Sequence, residues 1–368
     1  MIIGVLKEVK DHETRVAVTP GGVKEFVSAG HSVLVEHDAG SGSGISNDEF
    51  RQAGAVISEG RDEISVNAGL ILKIKEPQPS EYALFRSGQS LFTFFHFASS
   101  RQLTEAMINA QVSCIAYETV ETADGRVPLL APMSEVAGKM APIVAANCLA
   151  RPAGGKGVLA SSVENVSPAM FVILGGGNAG QAAAAVALGI GAAVVIVEKD
   201  QSNIDRLKHI FPKALILPST PDNIETYVRQ ADALIGTIHI PGAQPPKLVT
   251  RKMVAEMEKG SVIVDIAIDQ GGCIETSRPT THSNPIYVEQ GVIHYCVTNM
   301  PGVFPRTSTF ALTHRTLPYA LELAEKGPRA FSNGELRKGL NIYKGKVTNR
   351  GVAEAHNLPY TDPGELLG

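Results

Sequence analysis

The sequence predicts an α/β fold with two domains, in which a doubly wound domain is inserted into a discontinuous second domain. The chain has 368 residues, which is too long for one ordinary core. Short β-branched runs alternate with helical patterns through most of its length. The glycine-rich turn Gly175-x-Gly177-x-x-Gly180 follows an apolar run and opens an alanine-rich helix, an order typical of doubly wound sheets.

The first third of the chain has the pattern of strands and helices that form a mostly parallel sheet. The predicted strands are 2–5, 33–36, 70–75, 91–95 and 113–116, and the predicted helices are 21–29 and 102–109. A longer helix is expected after Pro132, with Ser134 as its N-cap and its end near Leu149. The first domain boundary is therefore placed at Pro128.

A second run of strands and helices begins near residue 169. Its predicted strands are 170–174, 193–197, 214–217, 233–236, 262–266 and 292–296, with helices between most of them. A helix from Phe310 to Glu325 and a polar tail follow, and we expect this last part to fold back onto the first domain. The predicted domains are residues 1–128 with 308–368, and residues 129–307.

The composition excludes several classes of function. The formal net charge is −4, and lysines and arginines are scattered, so neither nucleic acid nor an anionic membrane is expected as a partner. The cysteines lack metal-ligand or disulfide spacing, which predicts buried thiols and no metal. The uncharged stretch from Val166 to Val197 contains a glycine-rich turn and fits a buried strand–helix–strand unit better than a membrane helix. Charge at Lys7 and Glu8 comes too early for a secretory signal, and a cytoplasmic protein is expected.

The glycine-rich turn predicts a dinucleotide site. Gly175 permits the tight turn, Gly177 lets the backbone approach a diphosphate, and Gly180 allows close packing of helix on strand. Glu198 ends the next predicted strand, where a carboxylate accepts hydrogen bonds from ribose hydroxyls and repels a 2′-phosphate. NAD is therefore preferred over NADP, although Lys199 weakens this preference. A turn without a ligand and a solvated strand end are the alternative interpretations.

Four polar residues at strand ends or turns are candidates for chemistry on an amino acid: Arg15, Lys75, His96 and Asp269. Such chemistry needs cations for a carboxylate, a group that polarises a carbonyl and a group that transfers protons near neutral pH. The residues alone leave other interpretations open. Ordinary ion-paired cations, a hydrogen-bonded core histidine and a turn-capping aspartate would give the same pattern.

Many segments resemble those of the alanine dehydrogenase family, and some also resemble the related proton-translocating transhydrogenases. The matching segments are Lys7-Glu8, Glu13–Ala17, Leu72–Pro77, Phe95–Ala98, Tyr117–Val120, Pro128–Gly138, Val264–Gly272 and Ser277–Thr281. The resemblance runs nearly end to end, and the segments from Phe95 onwards narrow it to alanine dehydrogenases.

This resemblance implies an NAD-dependent enzyme that interconverts L-alanine with pyruvate and ammonia. Under it, Arg15 and Lys75 hold the substrate carboxylate, with Lys75 also near the ketone oxygen. His96 is the general acid and base, Asp269 orients water or ammonia, and Asn299 lies on the substrate side. The implied cofactor-binding residues are Ser134, Gly175, Gly177, Asn178, Ala179, Gly180, Glu198, Ser219, Ile238, Leu248, Ile266, Asp269 and Met300. The resemblance also implies a homohexamer, and we expect a cleft between the domains to hold the substrate.

Two features depart from the family pattern. His239 stands where an apolar residue is usual, close to the cofactor positions, and the segment 94–97 is more aromatic than the usual leucine-rich version.

Three other functions are alternatives: a transhydrogenase nucleotide-binding subunit, a dehydrogenase for another amino acid, of the saccharopine or opine type, and a non-catalytic NAD sensor. His96 and the Asp269 region disfavour the first, a larger substrate would need a wider pocket, and the joint presence of the four candidates disfavours the third.

Overall fold

The computed structural model describes residues 1–238 and 244–367. The chain forms two compact units, Met1–Met133 with Gly302–Gly368 and Ser134–Pro301. Each unit is built on one sheet whose strands are mostly parallel. The predicted α/β fold, with one domain inserted into a discontinuous second domain, is thus confirmed. In the described ranges, no helix has the length and apolar character needed to cross a membrane.

The strands are β1 (Ile2–Val5), β2 (Ser32–Glu36), β3 (Val56–Ser58), β4 (Leu70–Leu72), β5 (Ser90–Thr93), β6 (Ser113–Ala116), β7 (Met170–Leu174), β8 (Ala193–Glu198), β9 (Leu215–Pro218), β10 (Ala233–Gly236), β11 (Val262–Asp265), β12 (Ile286–Glu289), β13 (Val292–Tyr295), β14 (Leu340–Tyr343) and β15 (Lys346–Val347). The helices are α1 (Pro20–Ser28), α2 (Asn47–Gln52), α3 (Arg61–Asn67), α4 (Arg101–Ala110), α5 (Ala131–Cys148), α6 (Asn178–Gly189), α7 (Gln201–Ile210), α8 (Pro221–Gln230), α9 (Arg251–Ala255), α10 (Pro305–Lys326), α11 (Gly334–Gly339), α12 (Arg350–His356) and α13 (Pro363–Leu367).

The first unit contains an eight-stranded sheet with the order β15-β14-β6-β5-β4-β1-β2-β3. Strands β1 to β6 are parallel, and β14 pairs antiparallel with β6, so the C-terminal part returns to the first sheet as expected. It returns as the hairpin β14–β15, where the sequence predicted only a polar tail. Lys344 and Gly345 both have positive φ in its two-residue turn, a conformation usually marked by Asn-Gly.

The second unit contains a seven-stranded sheet with the order β12-β13-β11-β10-β7-β8-β9. Counting from β7, its parallel strands follow the 3-2-1-4-5-6 order of dinucleotide-binding folds. The strand order reverses between β7 and β10, and ligands bind beyond the carboxyl ends of the strands at such a point. The edge strand β12, antiparallel to β13, was not predicted from the sequence.

The predicted element ends differ from the structure most at three places. Helix α5 begins at Ala131, so Ser134 lies in its first turn and is not the N-cap. Pro132 suits this turn because a proline has no backbone N–H, and an N–H in the first turn would have no partner within the helix. Helix α10 begins at Pro305 for the same reason, five residues before the predicted start. Strand β4 ends at Leu72, because the next side chain, Lys73, is committed to buried ion pairs.

His294, on β13, gives the second unit a pH-dependent stability. Its Nδ1 donates to the Val292 carbonyl at 3.0 Å, so its Nε2 accepts the Thr276 hydroxyl at 2.7 Å. Burial lowers the pKa of His294 from its ordinary value of 6.5, against the raising effects of this carbonyl and of Glu289. The unfolded chain therefore binds the proton more readily, and stability present above pH 6.5 falls away as the pH drops towards the folded-state pKa.

We expect the free energy of unfolding to fall between pH 7 and pH 5, with His294 contributing at most about 1.4 kcal/mol per pH unit. Urea unfolding at stepped pH measures this slope. The slope should be shallower in His294→Gln, which stays neutral throughout. Equal slopes in the two proteins would contradict the assignment to His294.

Candidate active site

The glycine-rich turn joins the carboxyl end of β7 to the start of α6, at the point where the strand order reverses. Gly175 has a φ of +98°, which residues with a side chain rarely adopt. A Cβ on Gly180 would lie 1.9 Å from the Gly175 carbonyl oxygen, whereas a Cβ on Gly177 would meet no described atom within 4 Å. Gly180 therefore packs the helix on the turn, and the backbone of Gly177 borders open space.

The start of α6 can hold an anion. Gly177 is its N-cap and supplies no side chain, so the first-turn N–H groups of Asn178, Ala179 and Gly180 are not capped by it. Such groups, together with the helix dipole, favour a diphosphate. On the neighbouring α5, a Cβ at Gly138 would lie 2.2 Å from the Ala179 carbonyl oxygen. Ser134 lies one turn before Gly138 on the same face of α5.

Glu198 is the last residue of β8, and its carboxylate is held against the glycine-rich turn. Oε2 accepts the Gly176 N–H at 2.7 Å and the Asn203 amide at 3.0 Å. Oε1 accepts the backbone N–H groups of Lys199 at 2.7 Å and Asp200 at 3.0 Å. The carboxylate is therefore fixed in place, which a solvated strand end would not require.

The other predicted cofactor residues lie in the second unit. The Ser219 N–H, just after β9, donates to the Glu198 carbonyl at 2.8 Å. Ile238 follows β10, and its Cδ1 lies 3.0 Å from the position that a Cβ on Gly175 would take. The rest pack against the hydrophobic cores of this unit: Leu248, Ile266 and Met300. His239 lies outside the described residues.

Asp269 and Asn299 are brought together within the second unit. Asp269 lies in the 3-10 turn Ile266–Gln270 after β11, and its Oδ1 accepts the Asn299 N–H at 3.0 Å. Asp265, at the end of β11, accepts the Ala267 N–H with Oδ1 and the Cys273 N–H with Oδ2, each at 3.1 Å. Asp265 thus closes the loop that carries Asp269. It was not singled out from the sequence, although a buried strand ending in an acid before two glycines could have indicated it.

In the first unit, Arg15 is buried, with 2% of its surface exposed. The Glu13 carboxylate holds its guanidinium through Nε at 2.7 Å and Nη2 at 2.5 Å, and Nη1 lies 2.9 Å from the Met133 sulfur. Arg15 is therefore ion-paired, as the alternative interpretation of the sequence allowed, but the pair is buried and bidentate. This geometry fixes the orientation of a cation that can bind a carboxylate.

Lys75 and His96 both lie against the aromatic ring of Phe94 in the same unit. Lys75 is 7% exposed, and its Nζ lies 5.9 Å from the centroid of the Phe94 ring. The His96 ring stacks on Phe94 with 5.8 Å between centroids and 3° between planes. His96 has a φ of +50°, and its N–H donates to Glu118 Oε1 at 2.6 Å. Glu118 lies in a segment that resembles the alanine dehydrogenase family, but no local pattern indicated its bond to His96.

Substitutions at two glycines should separate binding from folding. Gly177→Ala should fold normally and lose dinucleotide affinity by about tenfold or more, because its methyl group enters the open space beside α6. Gly180→Ala should lose affinity and also about 1–3 kcal/mol of stability, because its Cβ overlaps the Gly175 carbonyl. NADH titration and urea unfolding measure the two effects. Normal stability in Gly180→Ala would contradict the packing role, and Gly189→Ala, where a Cβ meets nothing within 4 Å, is the control.

Comparison with known proteins identifies the family. Residues 4–137 match the family model "Alanine dehydrogenase/PNT, N-terminal domain", and residues 141–350 match "Alanine dehydrogenase/PNT, C-terminal domain". Proteins named alanine dehydrogenase from Methanococcus maripaludis and Mycolicibacterium smegmatis are 51% and 47% identical, over 100% of both chains. A solved structure titled L-alanine dehydrogenase is 42% identical with a TM-score of 0.93, covering 97% of this chain and 99% of its own. A transhydrogenase structure from Sinorhizobium meliloti, 24% identical with a TM-score of 0.81 and covering 95% of this chain and 99% of its own, shares the fold. The chain belongs to the alanine dehydrogenase family.

Proposed function

We propose that this protein interconverts L-alanine with pyruvate and ammonia, with NAD as its cofactor. The observation that carries the proposal is that buried Lys75 and His96 both lie against the Phe94 ring, in a chain about half identical to full-length alanine dehydrogenases. We assign substrate binding to residues 1–128 with 308–368, and nucleotide binding to residues 129–307.

The substrate carboxylate binds to the two cations of the first unit. Arg15 is already oriented by Glu13 and presents a fixed guanidinium, while Lys75 supplies a compact charge that also polarises the ketone oxygen of pyruvate. Both side chains are largely shielded from water, which strengthens their attraction for an anion. We also assign Asn299 to substrate binding.

His96 transfers the protons. During alanine oxidation it removes a proton from the water that adds to the iminium carbon, and it returns a proton to the departing ammonia. Imidazole suits both steps because its ordinary pKa lies near neutrality. Asp269 orients this water, and its attachment to the Asn299 N–H fixes its carboxylate for that purpose.

The nucleotide fits the glycine-rich turn, because the open space beside Gly177 and the uncapped start of α6 suit a diphosphate. Ser134 and the N–H groups of Asn178, Ala179 and Gly180 would hold this diphosphate, and Glu198 would hold the adenosine ribose. Ser219, Ile238, Leu248, Ile266 and Met300 would line the rest of the site. When bound, NAD supplies the acceptor for the hydride that leaves the alanine Cα.

Glu198 sets the preference for NAD. Glu198→Gln should raise the efficiency with NADP relative to NAD by about 10- to 100-fold, because the carboxylate no longer repels a 2′-phosphate. Asp200→Asn removes the same charge two residues further on, at the N-cap of α7, and should leave the ratio nearly unchanged. Initial rates with both cofactors measure it. An unchanged ratio in Glu198→Gln would show that another residue excludes NADP.

The direct test follows NADH absorbance with purified protein, NAD and L-alanine at alkaline pH, beside a panel of other amino acids. NADH formation with alanine alone is expected. Turnover of a different amino acid in place of alanine would show that the protein is a dehydrogenase for that amino acid. Hydride exchange between nucleotides without alanine would favour the transhydrogenase function.

We also propose a cytoplasmic homohexamer, for which light scattering should give six times the chain mass of 38.9 kDa.

A further inference from the structure

His96 lies in a backbone turn whose hydrogen bonds come from several parts of the first unit. It has a φ of +50°, and the 3-10 turn Phe97–Ser99 begins directly after it. The N–H of His96 donates to Glu118 Oε1 at 2.6 Å, and its carbonyl accepts the Ser99 N–H at 2.9 Å and the Ser99 hydroxyl at 2.7 Å. Glu118 and Ser99 therefore hold the backbone of His96 itself.

Helix α12, near the C-terminal end of the chain, holds the next residue, Phe97. A carbonyl oxygen can only accept, so Nε2 of His356, the last residue of α12, donates to the Phe97 carbonyl at 2.7 Å. The carbonyl of His356 in turn accepts Arg101 Nη1 at 3.1 Å, at the start of α4. The end of α12 is thus bonded both to the turn that follows His96 and to the helix after that turn.

The bond from His356 is the principal one that joins the Phe97 carbonyl to a distant part of the chain. The same oxygen accepts the Ser100 N–H at 3.0 Å, which is a bond within the turn. The Thr104 hydroxyl lies 3.3 Å from this oxygen but 2.9 Å from the Ser100 carbonyl oxygen. A hydroxyl has one hydrogen to donate, and the nearer carbonyl is the better acceptor.

Side-chain packing also connects α12 to this turn. Phe95 and Phe97, on either side of His96, are buried, and their rings stack with 4.4 Å between centroids and 12° between planes. Val352 and Ala353 of α12 belong to the same hydrophobic core as these two rings. Helix α12 therefore supports the turn through an apolar core and through a hydrogen bond.

We propose that His356 is a positioning residue for His96, and that α12 is the support for the turn that carries His96. The bond from His356 fixes the path of the chain just after His96, while the Glu118 bond fixes it just before. Together they restrict the backbone angles that set the direction of the imidazole. His356 acts through the Phe97 backbone and takes no part in the chemistry. The catalytic consequence rests on the proposed function of His96, whereas the restraint on the turn does not.

Hydrogen exchange in the isolated protein tests the restraint without turnover. His356→Leu removes the donor and keeps an apolar side chain, whereas His356→Gln keeps an N–H donor close to the position of Nε2. The peptide containing residues 95–100, read by mass spectrometry, should exchange about 3- to 10-fold faster in His356→Leu, because the turn opens more often. His356→Gln should restore most of the protection. Glu354→Gln, at an exposed position of α12, is the matched control and should exchange like wild-type protein.

Exchange of α1, in the same unit, separates a local effect from a general one. Its rate should stay the same in wild-type protein and in His356→Leu. An unchanged rate for residues 95–100 in His356→Leu would overturn the proposal. An equal rise in α1 would show that His356 stabilises the whole unit without a particular effect on the turn, and this result would overturn the proposal too.

The same variants connect the restraint to catalysis. If wild-type protein oxidises alanine, His356→Leu should lower kcat by about 10-fold and leave KM within about twofold. Proton transfer depends on the direction of His96, whereas Arg15 and Lys75 hold the carboxylate in the proposed mechanism. His356→Gln should recover most of kcat. An unchanged kcat, or a change in KM alone, would overturn the positioning role. Wild-type protein that ignores alanine would refute the proposed function, while the exchange rates would still decide whether His356 holds the turn.

Discussion

Replacing Lys75 by methionine is expected to reduce kcat/KM for alanine by about 1,000-fold or more. The variant keeps the apolar stem that packs near Phe94 and loses only the ammonium. In the proposed mechanism that charge binds the carboxylate and polarises the ketone oxygen, and Lys75 is buried, where one oriented cation is worth far more than in water. The loss should appear in kcat as well as in KM, because the interaction with the ketone oxygen strengthens as charge develops there.

Steady-state rates in both directions measure this loss. Lys24→Met, at an exposed position of α1, is the matched control and should retain full activity. Thermal unfolding of both variants checks that they remain folded. Full turnover by Lys75→Met would refute the mechanism, because no other cation in the proposal reaches the ketone oxygen.

Replacing Lys73 by methionine is expected to reduce the free energy of unfolding by about 3–5 kcal/mol. Lys73 is wholly buried, with its Nζ 3.1 Å from Glu8 Oε2 and 3.0 Å from Glu81 Oε1. Without the ammonium, two buried carboxylates face each other, and the cation that remains is Arg61, whose Nη1 lies 3.8 Å from Glu81 Oε1. Burial raises the pKa of Glu8, while Lys73 is the largest opposing influence. The variant should therefore recover stability as the pH falls and Glu8 becomes neutral.

Urea unfolding at pH 8 and at pH 5 measures both parts of this expectation. The triple variant Glu8→Gln, Lys73→Met, Glu81→Gln removes all three of these charges and should be considerably more stable than Lys73→Met alone. A loss below about 1 kcal/mol in Lys73→Met would mean that water reaches these three side chains. Lys73 also precedes Lys75 by two residues, so the buried ion pairs anchor the segment that carries the proposed catalytic lysine.

The sequence predicted the parts of the fold that depend on local patterns. Buried parallel strands are continuous β-branched runs, and the turn from Gly175 to Gly180 requires glycine for steric reasons, so both are visible in the residue order. The start of α5 was misplaced because Ser134 resembles an N-cap, whereas the helix begins at Ala131 and has Pro132 in its first turn. The edge strand β12 and the hairpin β14–β15 carry weak local patterns and depend on their neighbours in the sheet.

The candidate residues were found by resemblance, whereas their partners required the structure. Glu118 contacts His96 from 22 positions away, and the Asp269–Asn299 bond joins residues 30 apart. No local pattern links such residues, because their contact arises only when separate strands place their ends side by side. The buried Glu76 Oε2, which has no hydrogen-bond partner in residues 1–238 and 244–367, is likewise a property of packing and has no counterpart in the residue order.

His96 and Asn299 share a backbone conformation that has a consequence for binding. Both have positive φ, +50° and +60°, which costs a residue with a side chain of the order of 1–3 kcal/mol. In each case a carboxylate, Glu118 or Asp269, accepts the N–H of the strained residue. The conformational entropy of these two positions is therefore lost while the chain folds, before any substrate arrives. If these two residues bind substrate as proposed, binding needs little further ordering of the backbone at either position.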